Sequence, residues 1–210
     1  MTTAKMRIEE LKPSRRKQGR FLVKLEDGSI LRITEEELLR FRLRPGIDLD
    51  GETLEALQAS VRTSSAKAAA ANIIGSRALS KKELTRRLVK KGNEEADAQA
   101  AADWLEDIGA VDDAAYAASL VRHYGEKGYG PQRVREELRR RGVDRDLWDE
   151  AMEELPDPAE ILGRLIEKKC GGELSDRKEI KRVSDSLMRR GFAWSDVREA
   201  LRRYTEIEED

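Results

Sequence analysis

The sequence predicts a mainly α-helical protein: three tandem three-helix repeats forming a curved solenoid, preceded by a small β-hairpin plus helix module. Three observations carry that prediction. The decamers ELTRRLVKKG (83–92), RVREELRRRG (133–142) and RVSDSLMRRG (182–191) recur about fifty residues apart, each an amphipathic helix end closed by Gly. Of the 210 residues 40% are charged, 39% hydrophobic and 5% aromatic. That balance suits a thin helical array with wide wet faces better than one thick core. Strand character, in the form of β-branched apolar runs, is confined to RFLVKLEDGSILRIT (20–34).

The N-terminal module covers 1–62. Asp27-Gly28 favours the type I′ turn of a two-residue hairpin. Thr34 with Glu37 three residues on is a capping box, so a short helix follows the hairpin and ends at Pro45-Gly46. Asp50 opens another helix. Repeat 1 (63–110) reads as a helix over Ser65–Arg77, a second capped by Ser80 with Glu83, and a third behind Asn93 bearing Trp104, Leu105 and Ile108. Repeat 2 (111–156) reads as Asp113–Tyr124, a helix opened by Gly130-Pro131, and one behind Asp144 bearing Leu147, Trp148, Ala151 and Leu155. Repeat 3 (157–210) reads as Pro158–Lys169 behind Asp157, a helix opened by Asp176 with Glu179, and one behind Ser195 bearing Val197, Leu201 and Tyr204. Trp104, Trp148 and Trp194 are expected as core anchors.

The middle helices align on Gly92, Gly142 and Gly191, which suit left-handed C-terminal caps. Leu88, Leu138 and Leu187 stand four before each Gly, and Leu84, Val134 and Val183 eight before, giving each helix an apolar stripe. Lys90, Arg140 and Arg189, two before each Gly, point away from that stripe at ~100° per residue. Basic ends favour the helix dipole, yet basic residues also begin earlier, at Lys82, Arg86, Arg133, Arg135, Lys181 and Arg182, and continue through Lys91, Arg139 and Arg190. Stacked repeats would line these cations into a filament- or DNA-binding surface. A merely solvated face stays open beside it, because Glu136 and Asp185 share the helices.

Net charge is −1, so charge is segregated by element rather than uniformly basic. Lys12, Arg15, Arg16, Lys17, Arg20 and Lys24 form an acid-free stretch, and 92–121 carries acids without Lys or Arg. No apolar run reaches the ~20 residues of a membrane span. MTTAKMRIEE has no apolar segment behind its charges and reads as no signal peptide. Cys170 is the single cysteine, which permits no internal disulfide or zinc pattern and fits a reducing, cytoplasmic setting.

LSKKELTRRLVKKG, VDDAAYAASLVRHYGEKGYGPQRVREELRRRGV and the third unit resemble the RecX family of recombination regulators. The resemblance runs from Ser64 to Tyr204 and is most specific over Asp112 to Gly142, through Asp112-Asp113, Tyr116-Ala117, Val121, Gly128-x-Gly130, Arg133 and Glu137-Leu138. In the third unit, Cys170-Gly171-Gly172 and a longer second helix depart from the pattern. The resemblance implies a monomeric, nonenzymatic protein that needs no cofactor. It binds along the groove of the RecA filament on single-stranded DNA and inhibits its recombinase, ATPase and coprotease activities in DNA repair and the SOS response.

Catalytic chemistry finds little purchase. His123 is the one histidine and reads as structural; GEKGYG (125–130) has the glycines but not the Gly-Lys-Ser/Thr ending of a phosphate loop; of Asp112 and Asp113, one caps the helix that follows. Tyr129, between two glycines, reads either as a groove contact or as packing beneath its own connection. Two other functions compete: a free-standing DNA-binding protein of helix-turn-helix type, disfavoured by the near-zero net charge, and a helical scaffold without nucleic acid.

Overall fold

The computed structural model describes residues 5–15, 17–170 and 176–204. Arg16 of the basic stretch and Gly171-Gly172 of the third repeat lie outside the described residues. The protein is mainly helical, with ten α-helices among the described residues and a four-stranded antiparallel sheet at the N-terminal end. No helix among the described residues is long and apolar enough to cross a membrane. The chain forms two compact units, Met1–Ser76 with Leu84–Ile108, and Arg77–Glu83 with Gly109–Asp210.

In the first unit the sheet has the order β3-β2-β1-β4, from β1 (Met6–Pro13), β2 (Arg20–Leu25), β3 (Ile30–Thr34) and β4 (Asp48–Leu49). The expected hairpin is therefore half of a larger sheet. β1 hides from pattern reading because its alternation is broken: the register shifts between Ile8↔Leu25 and Glu10↔Lys24, a bulge at Glu9. The turn differs too. Leu25 accepts from the Gly28 N–H and donates to the Ser29 carbonyl, both at 2.9 Å, and Gly28 alone takes a positive φ of 83°. This is a type I turn with a Gly bulge, not the type I′ turn that would also need Asp27 at positive φ.

The Thr34–Glu37 capping box forms and starts α1 (Glu35–Arg40). Glu37 is buried and also accepts from the Ser60 hydroxyl at 3.1 Å, which ties α1 to the helix that follows. The helix behind Asp50 and the helix expected over Ser65–Arg77 are one continuous α2 (Gly51–Ile74), so the 62/63 boundary falls inside a helix. Nothing in Val61-Arg62-Thr63-Ser64-Ser65 is a Pro or Gly that would break it. α2 packs on α4 (Glu95–Asp107), where the buried positions are largely alanines that permit close approach. Two acids of this segment are matched locally, Arg62 lying 3.5 Å from Asp97 and 3.9 Å from Glu94, and the Lys67 ammonium lies 4.9 Å over Trp104.

The second unit holds two three-helix clusters. α5 (Asp113–Glu126), α6 (Pro131–Arg141) and α7 (Trp148–Met152), the last entered through a 3-10 turn at Arg145–Leu147, surround Ala117, Val121, Val134, Leu138, Val143 and Ala151. α8 (Pro158–Cys170), α9 (Arg177–Arg189) and α10 (Trp194–Arg202) surround Ile161, Leu162, Ile166, Val183, Leu187 and Phe192. Asp112, Asp157 and Asp176 accept from nearby helix N–H groups as expected. Three other caps differ. Asp144 makes no side-chain cap bond, α10 begins behind Ala193 rather than Ser195, and α4 begins behind Glu94 rather than Asn93. Trp148 anchors the second cluster and donates its indole N–H to Val143 O at 3.0 Å. Trp194 is not a core anchor: it is 57% exposed.

Candidate nucleic-acid and protein interface

The three middle helices, α3 (Lys81–Lys90), α6 and α9, end in the same hydrogen-bond pattern. Gly92, Gly142 and Gly191 take φ of 93°, 74° and 91°. In each case the Gly N–H donates to the carbonyl three residues back (2.9, 3.0 and 2.9 Å). The following residue, Asn93, Val143 or Phe192, donates to the stripe Leu four before the Gly, at 3.2, 3.1 and 3.4 Å. This is the Schellman stop. Asn93, expected to start α4, instead closes α3, its side-chain amide also donating to Leu88 O at 2.9 Å.

Within the second unit, two of these stops receive the first turn of another middle helix. At Gly191, the Gly130 N–H donates to Arg190 O at 2.9 Å and the Gln132 N–H to Gly191 O at 3.0 Å. The unsatisfied donors of one helix start thus meet the unsatisfied carbonyls of another helix end. A Cβ on Gly191 would lie 2.4 Å from Arg133 N, and one on Gly130 2.5 Å from Gly191 C. At Gly142 the arrangement recurs: the Ser80 hydroxyl donates to Arg141 O, the Lys81 N–H to Asp113 at 2.8 Å, and Lys82 packs its stem on the Gly. Ser80 and Gly130 both stand twelve before their own Gly.

The predicted cations differ in their partners. In the first unit Arg86, Lys90 and Lys91 are exposed and carry no ion pair among the described residues. In the second, the same holds for Lys82, Arg135, Arg139, Lys181 and Arg189. Arg182 is exposed beside Glu179 at 3.4 Å. The remaining members have partners within the chain. Arg190 donates to the carbonyls of Lys127 (3.0 Å) and Gly128 (3.1 Å) and lies 5.5 Å over the Tyr129 ring. Arg133 pairs with Glu136 at 2.7 Å and with Glu137 at 3.4 Å. Arg140 does not simply project from the core: it donates twice to Glu137, at 3.0 and 2.6 Å.

Glu137 is the polar centre that sequence reasoning passed over. It is 3% exposed, and Arg141 reaches within 3.7 Å of it. Burial, the largest single influence, would raise its pKa. The hydrogen bond and charge of Arg140, with Tyr124 and Arg133, together outweigh it and hold the carboxyl below its ordinary range. The signal was in the sequence: Glu137 falls with Val134 and Leu138 on the inward stripe, and arginines stand at i−4, i+3 and i+4.

Tyr129 is half-buried against the second cluster, its ring 5.4 Å from that of Tyr124. His123 is exposed at the edge of Tyr124. In the basic stretch Lys24 pairs with Glu9 at 2.6 Å and Lys12 with Glu10 at 2.5 Å.

Residues 112–152 match the second three-helix domain of RecX, and residues 157–201 match the third. The chain is 37% identical over 141 residues to the regulatory protein RecX of Vibrio campbellii, covering 66% of this chain and 91% of that one. It is 38% identical over 125 residues to the regulatory protein RecX of Xanthomonas axonopodis pv. citri, covering 59% and 77%. A crystal structure of regulatory protein RecX superposes with a TM-score of 0.71 at 22% identity, covering 93% of this chain and 98% of the other. That of RecX from Lactobacillus salivarius superposes with a TM-score of 0.60 at 20% identity, covering 69% and 97%. The last two speak for the fold. With nine-tenths of a relative covered at that identity, the helix stops, their joints and the cations beside them are those of a member of the RecX family of regulatory proteins.

Proposed function

We propose that this protein regulates, and inhibits, the RecA–single-stranded DNA filament, acting as a monomeric, nonenzymatic, cytoplasmic binding protein in DNA repair and the SOS response. The observation that carries the reading is the recurrence on all three middle helices of exposed cations with no ion pair among the described residues, Lys82, Arg86, Lys90 and Lys91 on or just beyond α3, Arg135 and Arg139 on α6, Lys181 and Arg189 on α9, in a chain whose net charge is −1. A surface basic in places and acidic in others suits a partner that is itself part protein and part nucleic acid. The same near-neutral total disfavours a stand-alone duplex binder, which ordinarily carries a basic domain. Functionally the chain divides as a 1–62 module and three repeats, 63–110, 111–156 and 157–210.

The test is a pulldown of the protein by RecA assembled on single-stranded DNA, beside free RecA and bare DNA. Retention by the filament well above both controls is expected, together with slowed ATP hydrolysis and strand exchange. Retention equal to that on bare DNA would contradict the reading.

A further inference from the structure

In the third cluster a groove of about 500 Å³ opens between α9 and α10. Its walls are asymmetric. Met188 and Trp194, 37% and 57% exposed, flank the turn that joins the two helices. Arg177 and Lys181 on α9, and Arg198 and Arg202 on α10, line the groove farther from that turn, ~6–17 Å along the helices at ~1.5 Å per residue. Asp185 is the one acid among the lining residues described. Arg177, Lys181 and Arg198 carry no ion pair among the described residues.

Trp194 differs from its two counterparts. Trp104 lies under the Lys67 ammonium, and Trp148 donates its N–H to a carbonyl with Arg145 over its ring. Trp194 has neither cover nor partner among the described residues, although an indole left this open forgoes burial that its type normally finds. Ser184 is also among the lining residues; it is buried, and its hydroxyl has no hydrogen-bond partner among the described residues. An open aromatic face at one end and cations at the other match the parts of a site for unpaired bases and their phosphates. A duplex, with its bases stacked, offers nothing to an indole face.

We infer that the α9–α10 groove is a subsite for single-stranded nucleic acid, with a base stacked on Trp194 beside Met188 and the adjoining phosphates held by Arg177, Lys181, Arg198 and Arg202. The inference rests on the proposed function only for the source of the strand. Binding itself needs no recombinase.

The experiment is a fluorescence-anisotropy titration of a labelled oligothymidylate of about 12 nucleotides with the full chain. Trp194→Ala is expected to weaken binding about tenfold or more, and Trp194→Phe to keep most of the affinity while losing the quenching of indole emission. Lys181→Glu with Arg198→Glu is expected to weaken binding and flatten its salt dependence. Affinity within about twofold of wild type for folded Trp194→Ala would overturn the inference, as would Trp194→Phe binding as poorly as Trp194→Ala. Unchanged oligonucleotide binding by Trp194→Ala with lost filament retention would also overturn it, assigning the groove to a protein partner. Trp194-dependent oligonucleotide binding without filament retention by wild type would sustain this inference while the proposed function failed.

Discussion

Gly92 and Gly191 close helices of similar sequence with the same backbone conformation and the same pair of hydrogen bonds, yet their surroundings are opposite. Gly92 is exposed, and a Cβ there would meet nothing within 4 Å among the described residues. Gly191 is buried, with the backbone of Arg133 where its Cβ would be. One position is a helix stop only; the other is a stop and a docking point for the next helix start. The lesson is that a repeated motif encodes the local conformation, while the load it bears depends on whether another repeat leans on it. Gly142 lies between, with the flexible Lys82 stem 3.2 Å from its would-be Cβ.

Substitution by Ala separates the two loads. Gly191→Ala combines a left-handed backbone penalty of ~1–2 kcal/mol with overpacking of ~1–3 kcal/mol, so a loss of about 3 kcal/mol is expected in urea unfolding. A loss near 1 kcal/mol would erase the distinction from Gly92.

The second cluster has a feature its neighbours lack at the same place. Five before each Gly stand Arg87, Glu137 and Ser186. Glu137→Gln keeps the shape and removes the charge that the arginines face, and should cost ~1.5–3 kcal/mol at neutral pH. The pH dependence has a definite sign. A carboxyl whose folded pKa is depressed contributes stability that is full above its unfolded value and is lost as pH falls through the folded one. Acid unfolding of the wild type should therefore show a loss below the ordinary carboxyl range that Glu137→Gln lacks; identical acid profiles would show Glu137 to be unpaired in solution.

The cations two before each Gly sharpen the comparison further. Lys90 and Arg189 have no ion pair among the described residues, whereas Arg140 holds Glu137. Arg140→Glu should lower the unfolding midpoint, whereas Lys90→Glu and Arg189→Glu should leave it nearly unchanged. Equal shifts for all three would mean that the Glu137 centre adds nothing. The smallest backbone effect belongs to Gly92→Ala, about 1 kcal/mol from the left-handed conformation alone. A loss as large as that at Gly191 would show an unseen neighbour.

The stops were legible because Leu88, Leu138 and Leu187 recur at a fixed distance from Gly and local chemistry decides a Schellman turn. The joints were not, since the approach of Gly130 to Gly191 spans some sixty residues and leaves no periodic trace. For a different, local reason the helix angle predicted that Arg140 would face outward: a Cα direction misses that a long side chain can fold back to Glu137, three residues away. Arg190 reads as one more basic end residue, and only its carbonyl partners reveal it as a clasp. β1 was lost to its bulge, and the run through Ser64-Ser65 looked like a boundary because polar residues resemble a linker while leaving a helix intact. Trp194 was assigned to the core on residue type, although Trp148, likewise the first residue of its helix, packs on its core while Trp194 stays 57% exposed.

The central claim is that free cations on the middle helices, and not helix capping alone, engage the filament. Binding of RecA–single-stranded DNA filaments at two salt concentrations, by wild type and by the Lys90→Glu, Arg189→Glu double variant, tests it while leaving the Glu137 centre intact. The account predicts that wild-type affinity falls with salt, that the double variant binds about tenfold more weakly at low salt, and that its salt slope is shallower. Equal affinities and equal slopes in two equally folded proteins would contradict it.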